Sequence, residues 1–234
     1  MRTSDLRAAR RRHGWGQVEA AHRLGVSQPY LAMLESGKRH LTPDLERKVV
    51  TAYGLTPAEL PLPAAFTPPE KVDGQRLMED LAKLDYPGFA YVHTRARSRH
   101  PGEVLLTALA QERLEGRVAE ALPWLLLQYW QMDVLWLVGE AKRFDLQNRL
   151  GFVVNLARQV SERSGEAKRT QSLARLESLL ESGRLAREDY FYRPPRNDRE
   201  RQWLLENRPD SAGHWNLLSD LRPEHLQYGT WQKG

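Results

Sequence analysis

The sequence predicts an all-α fold in which a small N-terminal domain is joined to a larger helical domain. Apolar residues recur three and four positions apart along much of the 234 residues, which is the spacing of amphipathic helices. A chain of this length can bury two hydrophobic cores. Four prolines fall within residues 61–69, and they exclude a continuous helix there. We therefore predict domains at residues 1–60 and 72–234, joined by a Pro-rich linker over residues 61–71.

The first domain carries the pattern of two short helices joined by a tight turn. Residues 17–24 predict one helix, with Val18 among its inward-facing side chains, and Gly25 follows where the chain must turn. Ser27 can then cap a second helix with its hydroxyl group. Ala21 is small where the two helices must cross. This arrangement is a helix-turn-helix, and it indicates a protein that reads double-stranded DNA.

The outer face of the second helix is predicted to enter the major groove. Side chains one, three and four positions apart share a face of a helix. The residues predicted to read bases are Gln28, Pro29, Ala32 and Met33. An amide such as that of Gln28 can form a bidentate contact with N6 and N7 of adenine, and Pro29 and Met33 can contact thymine methyl groups. The set favours a site rich in A and T.

Four segments of the first 60 residues occur in a characteristic order: LRAARRRHGWGQ, LGVSQPYL, LESGKRH and AYGLTPAEL. With these segments, residues 5–60 resemble the Cro/CI repressor-like family of DNA-binding domains, also called the XRE family. The resemblance implies a five-helix repressor-like domain in which the third helix reads DNA and the first runs from about Asp5 to His13. Thr42 and Thr56, each followed by proline, suit the starts of the last two helices.

The resemblance also implies roles for individual side chains. DNA phosphate contacts are implied for Gln17, Ser27, Tyr30, Lys38 and Arg39. Gln17 would in addition brace Gln28. Arg10 and Glu35 match positions that form an ion pair between the first and third helices in some members, and we interpret this pair as structural.

Positive charge is concentrated in the first domain. Residues 1–60 carry ten Lys and Arg against six Asp and Glu, whereas the remainder carries 25 against 24. Because phosphate neutralisation supplies much of the affinity for DNA, we expect a backbone footprint in this domain. Its expected members are Arg7, Arg10, Arg11, Arg12, Arg23, Lys38 and Arg39. For Arg11 and Arg12, a solvated helix face is the alternative.

Helical periodicity continues through the second domain. The most apolar stretch runs from Leu122 to Val138 and is broken at its front by Pro123. The predicted helices are one through Leu77, Leu81 and Leu84, one from Glu103 to Gln111, one capped by Asp133, one capped by Asp145 and running to Ser161, and one from Ala167 to Ser182. Trp124, Trp130 and Trp136 are interpreted as core residues. The basic stretch 95–100 is interpreted as a charged connection, with phosphate contact as the alternative. Residues from 185 onward predict an aromatic arm that packs on its own domain or on a second subunit.

The composition argues against several other classes of function. The chain has no cysteine, no apolar run long enough for a membrane span, and an arginine-rich start where a signal peptide would be apolar. Its histidines lack the spacing of a zinc helix, and no phosphate-binding loop or nucleophile elbow occurs. We therefore expect a cytoplasmic protein that is not an enzyme and uses no cofactor or metal.

Three hypotheses for the function share the DNA-binding step. The first is a transcriptional regulator, a dimeric (auto)repressor whose second domain makes a homodimer on a palindromic site. The second is an antitoxin of a toxin-antitoxin or phage-defence system, whose second domain binds a protein toxin or effector. The third is a regulator whose second domain senses a small molecule.

Overall fold

The computed structural model describes residues 3–39, 41–60, 62, 65–94 and 98–226, and the chain divides into two compact units, Met1–Ala65 and Phe66–Gly234. The helices are α1 Thr3–Arg12, α2 Gln17–Leu24, α3 Gln28–Glu35 and α4 Pro43–Ala52 in the first unit, and α5 Gly74–Lys83, α6 Pro101–Leu109, α7 Gly116–Gln128, α8 Val134–Arg143, α9 Gln147–Arg163, α10 Ala167–Glu181, α11 Asp198–Asn207 and α12 Asp210–His214 in the second. Two short strands, β1 Asp189–Tyr190 and β2 Leu217–Leu218, pair in parallel. The predicted all-α fold class is confirmed. Within the described ranges, no helix combines the length and apolar character that a bilayer crossing requires.

The first unit forms around the turn between α2 and α3. Gly25 has a φ of 69°, a left-handed conformation that glycine adopts without strain, and it ends α2. The Ser27 hydroxyl accepts a hydrogen bond from the Tyr30 amide at 3.3 Å and so caps α3. Thr42 caps α4 in the same way through the Leu45 amide at 3.4 Å. These predicted helix starts are confirmed. They could be predicted from the sequence because each depends on chemistry within four residues.

One expectation for the first unit is wrong, and the fifth helix is shorter than expected. Val18 is 74 % exposed, because Ala20, Ala21 and Leu24 define the buried face of α2. With 3.6 residues per turn, Val18 lies about 110° around the helix from the centre of that face. The fifth helix begins where it was expected, with the predicted capping box of Thr56 and Glu59, but it is a single 3-10 turn over Pro57–Glu59. The proline at position 61 disfavours helical geometry at Leu60, whose ψ is 150°, so the helix cannot continue.

The second unit is built around α9, which packs against α7, α8, α10 and β2. Trp215 is completely buried, and a Cβ atom at Gly151 would lie 2.5 Å from its ring. Only glycine at position 151 therefore lets the indole lie flush against α9. The three tryptophans interpreted as core, at positions 124, 130 and 136, are each only partly buried. Trp215 was not among the predicted core residues.

Helix starts in the second unit follow the prediction at Asp133 but not at Asp145. The Asp133 carboxylate accepts hydrogen bonds from the amides of Leu135 and Trp136, both at 3.1 Å, and caps α8. Asp145 instead has a φ of 56° beyond the end of α8, a left-handed conformation that aspartate tolerates better than most residues. Pro123, expected to break the apolar stretch at its front, lies inside α7.

The second half of the predicted Pro-rich linker belongs to the second unit. Phe66 is 3 % exposed and packs edge-on against Trp136 and Phe144, with ring centroids 5.8 Å away in both cases. The Gln111 side chain donates a hydrogen bond to the Pro69 carbonyl at 3.1 Å. A high proline content indicates a lack of helix, but it does not show whether the extended chain is packed.

The aromatic arm packs on its own unit, one of the two possibilities that the sequence left open. Asn148 on α9 both donates to the Leu185 carbonyl, at 2.9 Å, and accepts from the Leu185 amide, at 2.8 Å. Arg149 makes a bidentate contact with Asp189, at 2.9 and 2.8 Å. Two adjacent polar residues of α9 therefore clamp the beginning of the arm.

The basic stretch 95–100 is only partly described, because residues 95–97 lie outside the described ranges. Arg99 donates to Asp80 at 2.8 Å and to Glu103 at 2.6 Å. Its guanidinium therefore joins α5 to α6. This contact agrees with the interpretation of the stretch as a connection.

Candidate DNA-binding site

The face of α3 opposite the core carries all four residues that were predicted to read bases. Pro29 is exposed, and the other three, Gln28, Ala32 and Met33, are partly exposed. Leu31 and Leu34, on the other side of the helix, are buried. The helix thus presents a short row of accessible amide and apolar groups.

A buried ion pair ties α3 to α1. The Arg10 guanidinium donates from Nε to Glu35 Oε1 at 2.6 Å and from Nη2 to Oε2 at 3.0 Å, and its Nη1 donates to the Trp15 carbonyl at 2.8 Å. Glu35 is 3 % exposed. Burial alone would raise the pKa of Glu35, but the hydrogen bonds from Arg10 and Gln17 outweigh it and hold the pKa below its ordinary value. Glu35 is therefore ionised at neutral pH.

A line of hydrogen bonds continues from this ion pair to the accessible face of α3. Gln17, the first residue of α2, donates from Nε2 to Glu35 Oε2 at 3.0 Å. Gln28 then donates from its own Nε2 to Gln17 Oε1 at 2.8 Å. The brace between Gln17 and Gln28 that the family resemblance implied is present without DNA. It reduces the rotamer freedom that Gln28 must lose on binding.

The residues with implied phosphate contacts lie at the ends of the helix-turn-helix. Gln17 begins α2, Ser27 and Tyr30 lie at the start of α3, and Lys38 and Arg39 follow its end. Lys38 and Arg39 are exposed, and neither forms an ion pair with a described residue. Ser27 already uses its hydroxyl oxygen as a cap. These positions can meet the DNA backbone on either side of the recognition helix.

The expected basic footprint needs one correction, because Arg10 is buried in its ion pair and cannot reach a phosphate. Two further members are engaged at the surface. Arg12 pairs with Glu59, and Arg23 lies over the Trp15 ring at 4.2 Å. Arg7 is exposed as well, but its Nε lies 3.7 Å from Glu35 Oε2. The exposed members of the footprint that remain for backbone contact are therefore Arg11, Lys38 and Arg39.

Sequence reasoning missed an aromatic brace behind the ion pair. The Trp15 and His13 rings stack with centroids 4.4 Å apart, and His13 Nε2 lies 2.9 Å from the Tyr53 carbonyl oxygen. Burial, assisted by the Glu35 charge, raises the pKa of Tyr53 to about 12, so its phenol stays neutral. These rings join the end of α1 to the end of α4. Their separation in the sequence gave no local signal of the contact.

Residues 6–60 match the family model described as Helix-turn-helix. The matched segment begins inside α1 and includes α2, α3, α4 and the 3-10 turn. These residues are a helix-turn-helix domain of the XRE family. On the basis of this domain, the protein is of the DNA-binding transcription regulator type. Neither the curated proteins nor the solved structures with which the chain was compared include a match. In the described parts of both units, no three His, Asp or Glu side chains are grouped so that they could hold a metal ion.

Proposed function

We propose that the protein is a dimeric transcriptional repressor, acting on its own promoter among others, that recognises its operator with the exposed face of α3. The observation that carries this proposal is the line of hydrogen bonds that holds Gln28 at the accessible edge of the recognition helix. An amide held in this way is prepared to make both hydrogen bonds with adenine. Pro29 and Met33 add apolar groups next to it, which suit thymine methyl groups.

The second unit supplies the dimer contact in this proposal. One helix-turn-helix domain touches few base pairs, and two joined domains gain affinity by binding both half-sites of a palindrome. In B-DNA such half-sites lie about 34 Å apart, one turn of the double helix. In the described part of the second unit, no observation favours a protein toxin or a small-molecule effector. These two partners stay hypotheses.

Binding-site selection from a random duplex pool tests both parts of the proposal. Full-length protein is expected to enrich a palindrome with an adenine at one position of each half-site. Gln28→Ala should remove the preference at that position, with a loss of affinity of about 5- to 150-fold, the range for one good bidentate base contact. The matched control is Gln202→Ala, an exposed glutamine on α11 that should leave the selected sequence unchanged.

The outcome of the selection can contradict each part separately. An enriched sequence with a single, unrepeated half-site would contradict the dimer. A base preference that is the same in wild type and Gln28→Ala would contradict base reading by α3.

A further inference from the structure

The line of hydrogen bonds behind α3 has a direction that Glu35 sets. An ionised carboxylate can only accept hydrogen bonds. Gln17 must therefore turn its amino group toward Glu35, as the 3.0 Å bond from Nε2 to Oε2 shows, and its carbonyl oxygen points to Gln28. That oxygen in turn can only accept. Gln28 must therefore present its amino group to Gln17.

This direction determines what Gln28 can offer to a base. One hydrogen of Nε2 is used by Gln17 Oε1. The second hydrogen and Oε1 of Gln28 have no hydrogen-bond partner among the residues that the structure describes. The order of one donor and one acceptor along the edge of α3 is thus set before DNA arrives.

Reversing that order is unfavourable. If only Gln28 turned its amide over, its oxygen would face the oxygen of Gln17. If both amides turned over, the oxygen of Gln17 would face the carboxylate of Glu35, which is buried. In either case an acceptor loses its hydrogen bond, and at Glu35 the loss occurs out of contact with water.

We propose that Glu35, acting through Gln17, makes the recognition helix discriminate adenine from guanine by fixing the orientation of the Gln28 amide. The proposal rests on the proposed function of Gln28 as a base reader. Adenine presents N7 as an acceptor and N6–H as a donor, and both match the fixed amide. Guanine presents N7 and O6, which are both acceptors, so the oxygen of Gln28 would face O6. An unbraced amide could rotate that oxygen away, whereas a braced one cannot. Glu35 is in this sense a positioning residue, in addition to its part in the ion pair with Arg10.

The decisive variant is Gln17→Met, which keeps a long unbranched side chain but removes both amide groups. It leaves the hydrogen bonds between Arg10 and Glu35 in place, so the domain should stay folded. The measurement is competition between two operators that differ only by A·T or G·C at the position identified with Gln28→Ala. Wild type is expected to bind the A·T operator more tightly than the G·C operator. In Gln17→Met the ratio of these two affinities should fall about fivefold, which corresponds to the net free energy of one hydrogen bond.

A second variant tests Glu35 itself. Arg10→Met/Glu35→Leu removes the acceptor together with its cation, so no unpaired charge is left in the interior. The preference for adenine should fall as it does in Gln17→Met. Lys38→Ala is the control, because a lost phosphate contact should weaken binding to both operators equally and leave their ratio unchanged.

An unchanged preference in Gln17→Met, while Gln28→Ala abolishes it, would overturn the role of Glu35 and leave base reading by Gln28 intact. If Gln28→Ala also keeps the preference, base reading by this residue fails, and the proposal fails with it. Should the double variant not fold, Gln17→Met decides alone, because it preserves the ion pair.

Discussion

Replacing Arg10 with methionine is expected to destabilise the helix-turn-helix domain by about 3–5 kcal/mol, the usual effect of removing one partner of a buried ion pair. Glu35 would remain buried without the two hydrogen bonds that now offset its desolvation. Arg7 forms an ion pair with Glu35 but no hydrogen bond with its carboxylate, since its Nε lies 3.7 Å from Oε2. A domain of this size has little more than that stability in total. Most of the population should therefore unfold, and DNA binding should be lost.

Hydrogen exchange measured by mass spectrometry on the full chain can follow the two units separately. In Arg10→Met, peptides from α1 to α4 should lose their protection while those from α9 keep it. Arg7→Met is the matched control, because the Arg7 side chain is 46 % exposed and its loss leaves both hydrogen bonds from Arg10 to the Glu35 carboxylate in place. The loss of a partly solvated arginine should lower stability by at most about 1 kcal/mol. Arg10→Met/Glu35→Leu should restore protection, since no buried charge remains. Full protection in Arg10→Met would mean that the ion pair does not hold α1 to α3.

Phe66→Ala is expected to destabilise the second unit by about 3–5 kcal/mol, as for other buried phenylalanines. The ring fills the space between Trp136 on α8 and Phe144 at the end of that helix, and its removal leaves a cavity. Residues 67–71 should then detach as well, because the side chain of Phe66 is their first anchor on the unit. Hydrogen exchange should increase in α8 and in the segment that follows Phe66.

The control for Phe66→Ala is Trp203→Ala. Trp203 is a larger aromatic residue of the same unit but is 50 % exposed, so its loss should change stability by no more than about 0.5 kcal/mol. If hydrogen exchange in Phe66→Ala were the same as in Trp203→Ala, residues 66–71 would be a linker that is not packed on the second unit. The second unit would then begin at residue 72.

The helix-turn-helix domain could be predicted closely because its signals are local. Gly25 needs only its own backbone freedom, and the caps at Ser27 and Thr42 involve amides three residues away. The Arg10–Glu35 pair spans 25 positions and came only from the family resemblance. The inward face of α2 was misassigned at Val18, because the four apolar residues of this eight-residue helix spread over too wide an arc to define which side is buried.

The second unit was predicted at the level of its helices and not of its packing. Aspartate suits both an N-cap and a left-handed residue after a helix, so Asp133 and Asp145 look alike in the sequence although their conformations differ. Trp215 becomes the centre of the core only because Gly151 lies opposite it, 64 positions earlier in the chain. Contacts of this kind depend on how distant elements meet, and periodicity carries no information about that.

Cleavage of DNA from a single labelled cysteine tests the central claim most directly, since the chain has no cysteine of its own. Ser36→Cys, at the exposed end of α3, would carry an iron chelate that cuts nearby deoxyribose, and Ser178→Cys, exposed on α10, would be the control. With the selected operator, the label at position 36 should cut inside each half-site, at two clusters about 34 Å apart. The label at position 178 should not give this pair of clusters. A bound complex in which position 36 gives no cuts, or the same cuts as position 178, would show that α3 does not lie in the DNA groove.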